Sequence, residues 1–223
     1  MQVTEIQHVL DLERNKAPRS PGLHVSAILG FIARRLGILK REDEEEVDWT
    51  LAKYHLSHGA NIIQLYPEAI YRVALGLAFE DWYGPQHPHH NYHAIGELEA
   101  DGIIGTPDGI EFSSVSAPIV HEYKLTWKSS RSGRETPAER IAQEWMWTSQ
   151  AKSYCYQASV PRTPDKLITD AMLHVYWVNG NYRGSGPQLS TYYLKFSMSE
   201  IVANWRLITE TTKREHLKET QAL

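Results

Sequence analysis

Apolar positions in this chain follow two periods, and the switch between them marks out its elements. In LHVSAILGFIARRLGILK (23–40), Ile28, Phe31, Ile32 and Leu36 recur at helical spacing, and Ser26 is placed to cap the helix they predict. PEAIYRVALGLAFEDWYG (67–84) predicts a second helix over 67–83, with Pro67 in its first turn and Gly84 at its end. PQHPHHNYH (85–93) reads as a loop by its prolines, and beyond it the period shortens to two. That alternation predicts one strand near 95–104, a turn at Thr106–Gly109, a short strand near 110–113 and a third strand in APIVHEYKL (117–125). Helical spacing then returns. Thr136 is a natural cap for a long helix from Pro137 to Gln157, closed by Pro161 and Pro164. AMLHVYWVN (171–179) reads as a buried strand and TYYLKFSM (191–198) as another, and Ser199 opens an amphipathic C-terminal helix.

The resulting order is helix, three strands, helix and strand, followed by an added strand and helix, with no internal repeat. This describes one α/β domain over 1–223, with an N-terminal arm (1–21), a core (67–179) and a C-terminal strand and helix (190–223). A chain of 223 residues is long enough to bury a substantial core. The single Cys155 excludes a disulfide framework, a four-Cys zinc site and a Cys-ligated iron–sulfur cluster within one chain. No apolar run reaches membrane-spanning length, and the acidic N-terminus does not read as a signal peptide, so a cytoplasmic protein is expected. The net charge of -4 does not advertise nucleic-acid binding, but charge is segregated. Acid gathers in REDEEEVD (41–48), whereas LTWKSSRSGR (125–134) carries only positive charge.

The chemistry sits in the alternating region. On a strand Glu122 and Lys124 share one face and Tyr123 takes the other. If the strands pair as a meander, Asp108 at the turn lies beside Glu122. Converging carboxylates repel unless a cation separates them, and hard oxygen donors favour Mg²⁺ or Mn²⁺. A lysine just beyond such an ion can position a water or steady charge on phosphorus, which is equipment for hydrolysing a phosphodiester. Each element also has a plain explanation: Asp is common in turns, and Glu-x-Lys is common on solvated strand faces.

Taken together the residues resemble the PD-(D/E)xK nuclease superfamily, in Pro107-Asp108 and Glu122-Tyr123-Lys124. Gly76-Leu77-Ala78-Phe79-Glu80 is similar to the GxxxE helix motif of its RecB-like and phage-exonuclease branch, and Gln150-Ala151-Lys152-Ser153-Tyr154 to the QxxxY motif. The resemblance covers about residues 76–154. It implies a restriction-endonuclease-like core, with a central mixed sheet flanked by helices, and a metal-dependent DNA exonuclease of recombination or repair, phage-encoded and acting in host cytoplasm. Asp108, Glu122 and the Tyr123 carbonyl would hold Mg²⁺ or Mn²⁺, Glu80 would complete the acidic site, and Lys124 would handle the attacking water. Gln150 and Tyr154 would place the substrate strand, with Lys128, Arg131 and Arg134 neutralising DNA phosphates. Expected partners are DNA, a recombination or single-strand-annealing protein, and further copies of the chain.

Gly76 stands where many relatives have a metal-binding His, which leaves one ion or two open. Some relatives carry a four-Cys cluster, and this chain cannot. The readings that stay open are an endonuclease on the same scaffold and a catalytically silent DNA-binding subunit. His87, His89, His90 and His93 offer a rival zinc or nickel site, but none has helical spacing to its neighbours, and a polar loop bordering the cleft is the favoured reading. Glu97, Glu99 and Asp101 line one strand face, with Asp101 approaching the Asp108 turn. Trp127, Trp145 and Trp147 are candidates for base stacking or for core, and Arg34-Arg35 and Lys40-Arg41 for further phosphate contacts.

Overall fold

The computed structural model describes residues 20–38, 70–86, 92–112, 117–130, 136–160, 167–180 and 186–221. The first segment forms a short strand β1 (Leu23–His24) and helix α1 (Val25–Arg35). Helix α2 (Ile70–Tyr83) follows and ends in a 3₁₀ turn at Gly84–Gln86. Then come β2 (Tyr92–His93), β3 (Leu98–Ala100), β4 (Ile103–Gly105), β5 (Gly109–Glu111) and β6 (Ile119–Thr126). The chain continues through α3 (Pro137–Gln143), α4 (Trp145–Ser159), β7 (Asp170–Trp177), β8 (Gln188–Lys195) and α5 (Met198–Gln221).

These strands make two mixed sheets flanked by helices, one ordered β1-β4-β3 and the other β2-β5-β6-β7-β8. In the larger sheet β6 runs parallel to β7, with Tyr123 opposite His174, and a parallel pair needs a crossover, which α3 and α4 supply. Burial follows from position in the sheet. Central β7 is buried on both faces and reads DAMLHVYW, while outer β8 alternates between half-buried and exposed residues. Val120 and Ala171 on one face pack with Ala151, Tyr154 and Cys155 of α4, in a core that also takes in Ile28 and Ile32 of α1 and Trp205 and Ile208 of α5. Small residues on α4, among them Ala151, Ser153 and Ala158, let that helix lie close to the strands. The opposite face meets α2, where Phe79 packs on Tyr123 and Tyr176.

Several predicted elements take a different form. The expected strand over 95–104 is a hairpin, because Asp101 and Gly102 both adopt positive φ (52° and 73°) in the two-residue turn that Asp-Gly favours. Asp101 therefore leaves the strand face and accepts a hydrogen bond from Trp205 Nε1 of α5 at 2.7 Å, away from the Asp108 turn. The three-strand meander is likewise divided: β3 and β4 belong to the small sheet, and only β5 continues antiparallel onto β6. Pro107 stands at that division, where a residue without an N–H cannot extend a ladder.

The long helix from Pro137 breaks at Glu144 (ψ 69°), although Thr136 caps it as expected, in a capping box with Glu139. Helix α1 starts at Val25 with His24 at the cap position and no side-chain cap, and Leu36 is exposed rather than buried. Ser197, not Ser199, caps α5, with its N–H donating to Glu200 Oε2 at 2.8 Å and Glu200 N donating back to Ser197 Oγ at 3.2 Å. Pro67, Pro161, Pro164, the arm before residue 20 and the acidic 41–48 run lie outside the described residues. No helix among the described residues is long and apolar enough to cross a membrane.

Candidate active site

Three elements bring the predicted residues together at the middle of β6. The turn before β5 carries Asp108, whose Oδ2 accepts a hydrogen bond from the Tyr123 backbone N–H at 2.5 Å. A strand residue sends its N–H and C=O to the same side, so the Tyr123 carbonyl leaves β6 on the edge that faces this turn. Glu122, almost fully buried, points to the α4 face and forms an ion pair through Oε1 with Lys124. Lys124 Nζ also donates to Gln150 Oε1 of α4 at 3.1 Å, and Gln150 Nε2 donates to Tyr154 Oη at 2.7 Å. Glu80, half-buried on α2, is close enough to act electrostatically on both Asp108 and Lys124.

The electrostatics have a definite sign. Burial, then the charges of Glu122 and Glu80, push the Asp108 carboxyl well above the usual carboxylate range; Lys124 and the Tyr123 N–H pull the other way without offsetting this. Burial draws the Lys124 ammonium down, but Glu122, Asp108 and Glu80 outweigh it, so Lys124 holds its proton more tightly than an ordinary lysine. The cluster is an acidic site with one ammonium inside it.

Among the described residues no three His, Cys, Asp or Glu side chains are drawn together tightly enough to enclose an ion by themselves. Mg²⁺ does not require that: it keeps several waters and takes one or two carboxylates. Asp108 and Glu122, which repel one another, together with the Tyr123 carbonyl make up an all-oxygen donor set of that kind. Gly76, one turn before Glu80, faces open space, so α2 offers no side chain there.

Other predicted residues are placed elsewhere. Tyr154 is only 3% exposed, so its ring is not open to a substrate strand. Lys128 Nζ meets both oxygens of Glu144 at 2.7 Å and lies over the Trp147 ring. Trp147 packs on Trp177 and Trp145 against the main core, while Trp127 remains exposed beyond β6. His93 is in strand β2, paired with Ile110, and its ring lies beside Phe112. Glu97 and Glu99 are exposed, and Glu97 accepts from the Ser20 backbone N–H at 3.0 Å. Arg131, Arg134, Lys40, Arg41, His87, His89 and His90 lie outside the described residues.

The opposite face of β6 holds a polar network that pattern reading missed. His121 and His174 stack with ring centroids 5.2 Å apart and share a 3.0 Å hydrogen bond. Glu111 lies 3.3 Å from the other nitrogen of His121, and Thr191 Oγ1 lies 3.0 Å from His174 Nδ1. Both imidazoles are buried. Period-two alternation would have put His121 beneath the same strand, but its partner comes from β7, more than 50 residues on, and no local pattern announces it.

No protein-family model matches the chain, and no curated protein does. Among solved structures it is similar to that of SSO0001, at 14% identity and a TM-score of 0.43 over 89% of this chain and 80% of the other. It is also similar to an alkaline exonuclease, LHK-Exo from Laribacter hongkongensis, at 12% identity and a TM-score of 0.36 over 90% and 93% of the two chains. The same exonuclease in complex with dAMP gives 12% and 0.34 over the same shares. Likenesses this faint assign no role to any residue here.

Proposed function

We propose that this chain is a Mg²⁺- or Mn²⁺-dependent deoxyribonuclease of the PD-(D/E)xK type, an exonuclease of phage-style DNA recombination or repair. The observation that supports it is the convergence of Asp108, Glu122, Lys124 and Gln150 from a turn, a strand and a helix onto one acidic point. A solvated strand face would not bury Glu122 to this degree or lay a helix amide on Lys124.

Hydrolysis adds the oxygen of water to phosphorus, breaks a phosphorus–sugar-oxygen bond and leaves a proton on the departing oxygen. Asp108, Glu122 and the Tyr123 carbonyl would hold the ion, with Glu80 beside them for an ordered water or a second ion. When bound, such an ion supplies a polarised water and charge neutralisation at phosphate. Lys124 contributes as a cation. Two of its three hydrogens are used by Glu122 and Gln150, and the third is left for the attacking water or a phosphate oxygen.

The test is to incubate purified protein with linear and with covalently closed circular DNA, in Mg²⁺, Mn²⁺ or EDTA, beside a Lys124→Ala control. Metal-dependent loss of the linear form alone is the expected result. Nicking of the circle would replace the exonuclease with an endonuclease, and no change to either DNA under any metal would sink the reading.

A further inference from the structure

We infer that Gln150 and Tyr154 act on the reaction through Lys124, as positioning residues, and that Tyr154 makes no contact with DNA. This rests on the nuclease reading for its kinetic test but not for its geometry. An ammonium has no lone pair, so the Gln150 atom 3.1 Å from Lys124 Nζ must be the amide oxygen. That fixes the amide the other way round at Tyr154, where Nε2 donates to the phenol oxygen at 2.7 Å. Lys124 thus sets which end of Gln150 it meets, and Tyr154, by taking the other end, holds the amide in place against the lysine.

The phenol is itself held in place. A Cβ built on Gly105 would fall 2.8 Å from Tyr154 Cε1 and 1.9 Å from Gln157 Oε1, so the ring lies directly against the backbone of β4. Gln157 Nε2 donates to the Ile103 carbonyl at 2.8 Å and ties α4 to that strand. Gly105 is followed by the Thr106-Pro107-Asp108 turn. One glycine therefore seats the residue that anchors Gln150 and leads into the turn that carries Asp108. Asp108 and Lys124, the two ends of the cluster, are referenced to the same piece of backbone.

A phosphate-binding Gln150 and a positioning Gln150 respond oppositely to Gln150→Glu. A carboxylate keeps an acceptor for Lys124 and can accept a hydrogen bond from the Tyr154 hydroxyl, so as a positioner it should retain more kcat than Gln150→Leu. Against a DNA phosphate the added negative charge should make it the worse of the two, through KM. Tyr154→Phe should lower kcat on the order of 10- to 100-fold, the scale of a displaced catalytic group, with KM and DNA affinity by fluorescence anisotropy unchanged. In a Lys124→Ala background the same substitution should have no further effect.

An activity-independent readout separates this from the nuclease reading. The Lys124 ammonium signal in ¹H–¹⁵N spectra, assigned with Lys124→Arg, should shift in Tyr154→Phe while thermal unfolding stays within a few degrees. A wild-type protein with no nuclease activity but a shifted lysine signal would reject the function and keep the brace. An active enzyme in which Tyr154→Phe raises KM at constant kcat, or leaves the lysine signal unmoved, would reject the brace and keep the function.

Discussion

The two faces of β6 carry polar groups at adjacent positions and treat them in opposite ways. On one face Glu111, His121, His174 and Thr191 run in sequence, joined by hydrogen bonds between His121 and His174 and between His174 and Thr191 and by a 3.3 Å contact between Glu111 and His121. Aromatic rings close over that chain, with Tyr83 and Phe79 of α2 packed on Tyr123. On the other face lie Glu122 and Lys124, with Asp108 at the strand edge and Glu80 of α2 acting electrostatically on Asp108 and Lys124, three carboxylates against one ammonium. A network whose partners match is a structural asset, because buried polar groups stabilise when satisfied. A cluster with excess like charge costs stability, and it persists where a ligand relieves it. Strand alternation is what lets one eight-residue segment do both.

The sharpest way to break this contrast is one substitution on each face. Glu122→Gln keeps the shape and an acceptor for Lys124, and should lower DNA cleavage on the order of 10³-fold with little change in melting temperature. His121→Ala should do the reverse. It leaves Glu111 and His174 without their partner and opens a cavity, at a cost of about 2–4 kcal/mol. At roughly 2–4 °C per kcal/mol for a chain of this size, that is a drop on the order of 10 °C by calorimetry. Cleavage by the folded fraction at low temperature should fall by less than about 10-fold, the loss expected when no reacting group is touched. Abolished cleavage at an unchanged melting temperature in His121→Ala would show that the faces are not separate.

The pairing of Glu122 with Lys124, and of Gln150 with Tyr154, was legible because it depends on local rules. Period-two alternation paired Glu122 with Lys124, and the i, i+4 spacing of Gln150 and Tyr154 put both on one side of α4. What was not legible depends on register between distant segments. The parallel pairing that sets His174 beside His121, the contact between Gly105 and Tyr154, and the Asp101–Trp205 bond all join segments between 49 and 104 residues apart. The split of the expected 95–104 strand is a different case: Asp101-Gly102 is a strong local hairpin signal, and apolar flanks on both sides disguised it. The break at Glu144 has no Pro or Gly to announce it. There Lys128, reaching from beyond β6, meets the carboxylate at the junction of α3 and α4.

Asp108 sharpens the comparison through pH. Its carboxyl is held above the ordinary range chiefly by burial and then by Glu122 and Glu80. As pH rises, the unfolded chain gives up this proton first while the native state still holds it. Stability contributed at this position therefore falls through that interval and stays lower above it. Asp108→Asn should accordingly raise the melting temperature at neutral pH in EDTA, by a few degrees on the scale of about 2–4 °C per kcal/mol. The gain should disappear at a pH below the ordinary carboxylate value. Added Mg²⁺ should raise the wild-type melting temperature and leave the variant unmoved. A variant less stable than wild type at neutral pH would mean that Asp108 is as well satisfied as the histidine face.

The smallest effect concerns where the charged face ends. Lys128 is more than half exposed, and Glu144 takes its ammonium with both oxygens at 2.7 Å, so the cation is spent on its own protein. An exposed pair of this kind contributes about 0–1 kcal/mol, and Glu144→Gln should barely alter the melting temperature. What it should alter is DNA binding. With Glu144 neutral, Lys128 is released to a phosphate, and the slope of log affinity against log salt should steepen by about one. Fluorescence anisotropy over a range of salt concentrations reads this directly. An unchanged slope would place Lys128 outside the DNA path and confine the substrate to Lys124 and the residues beyond the α3–α4 break.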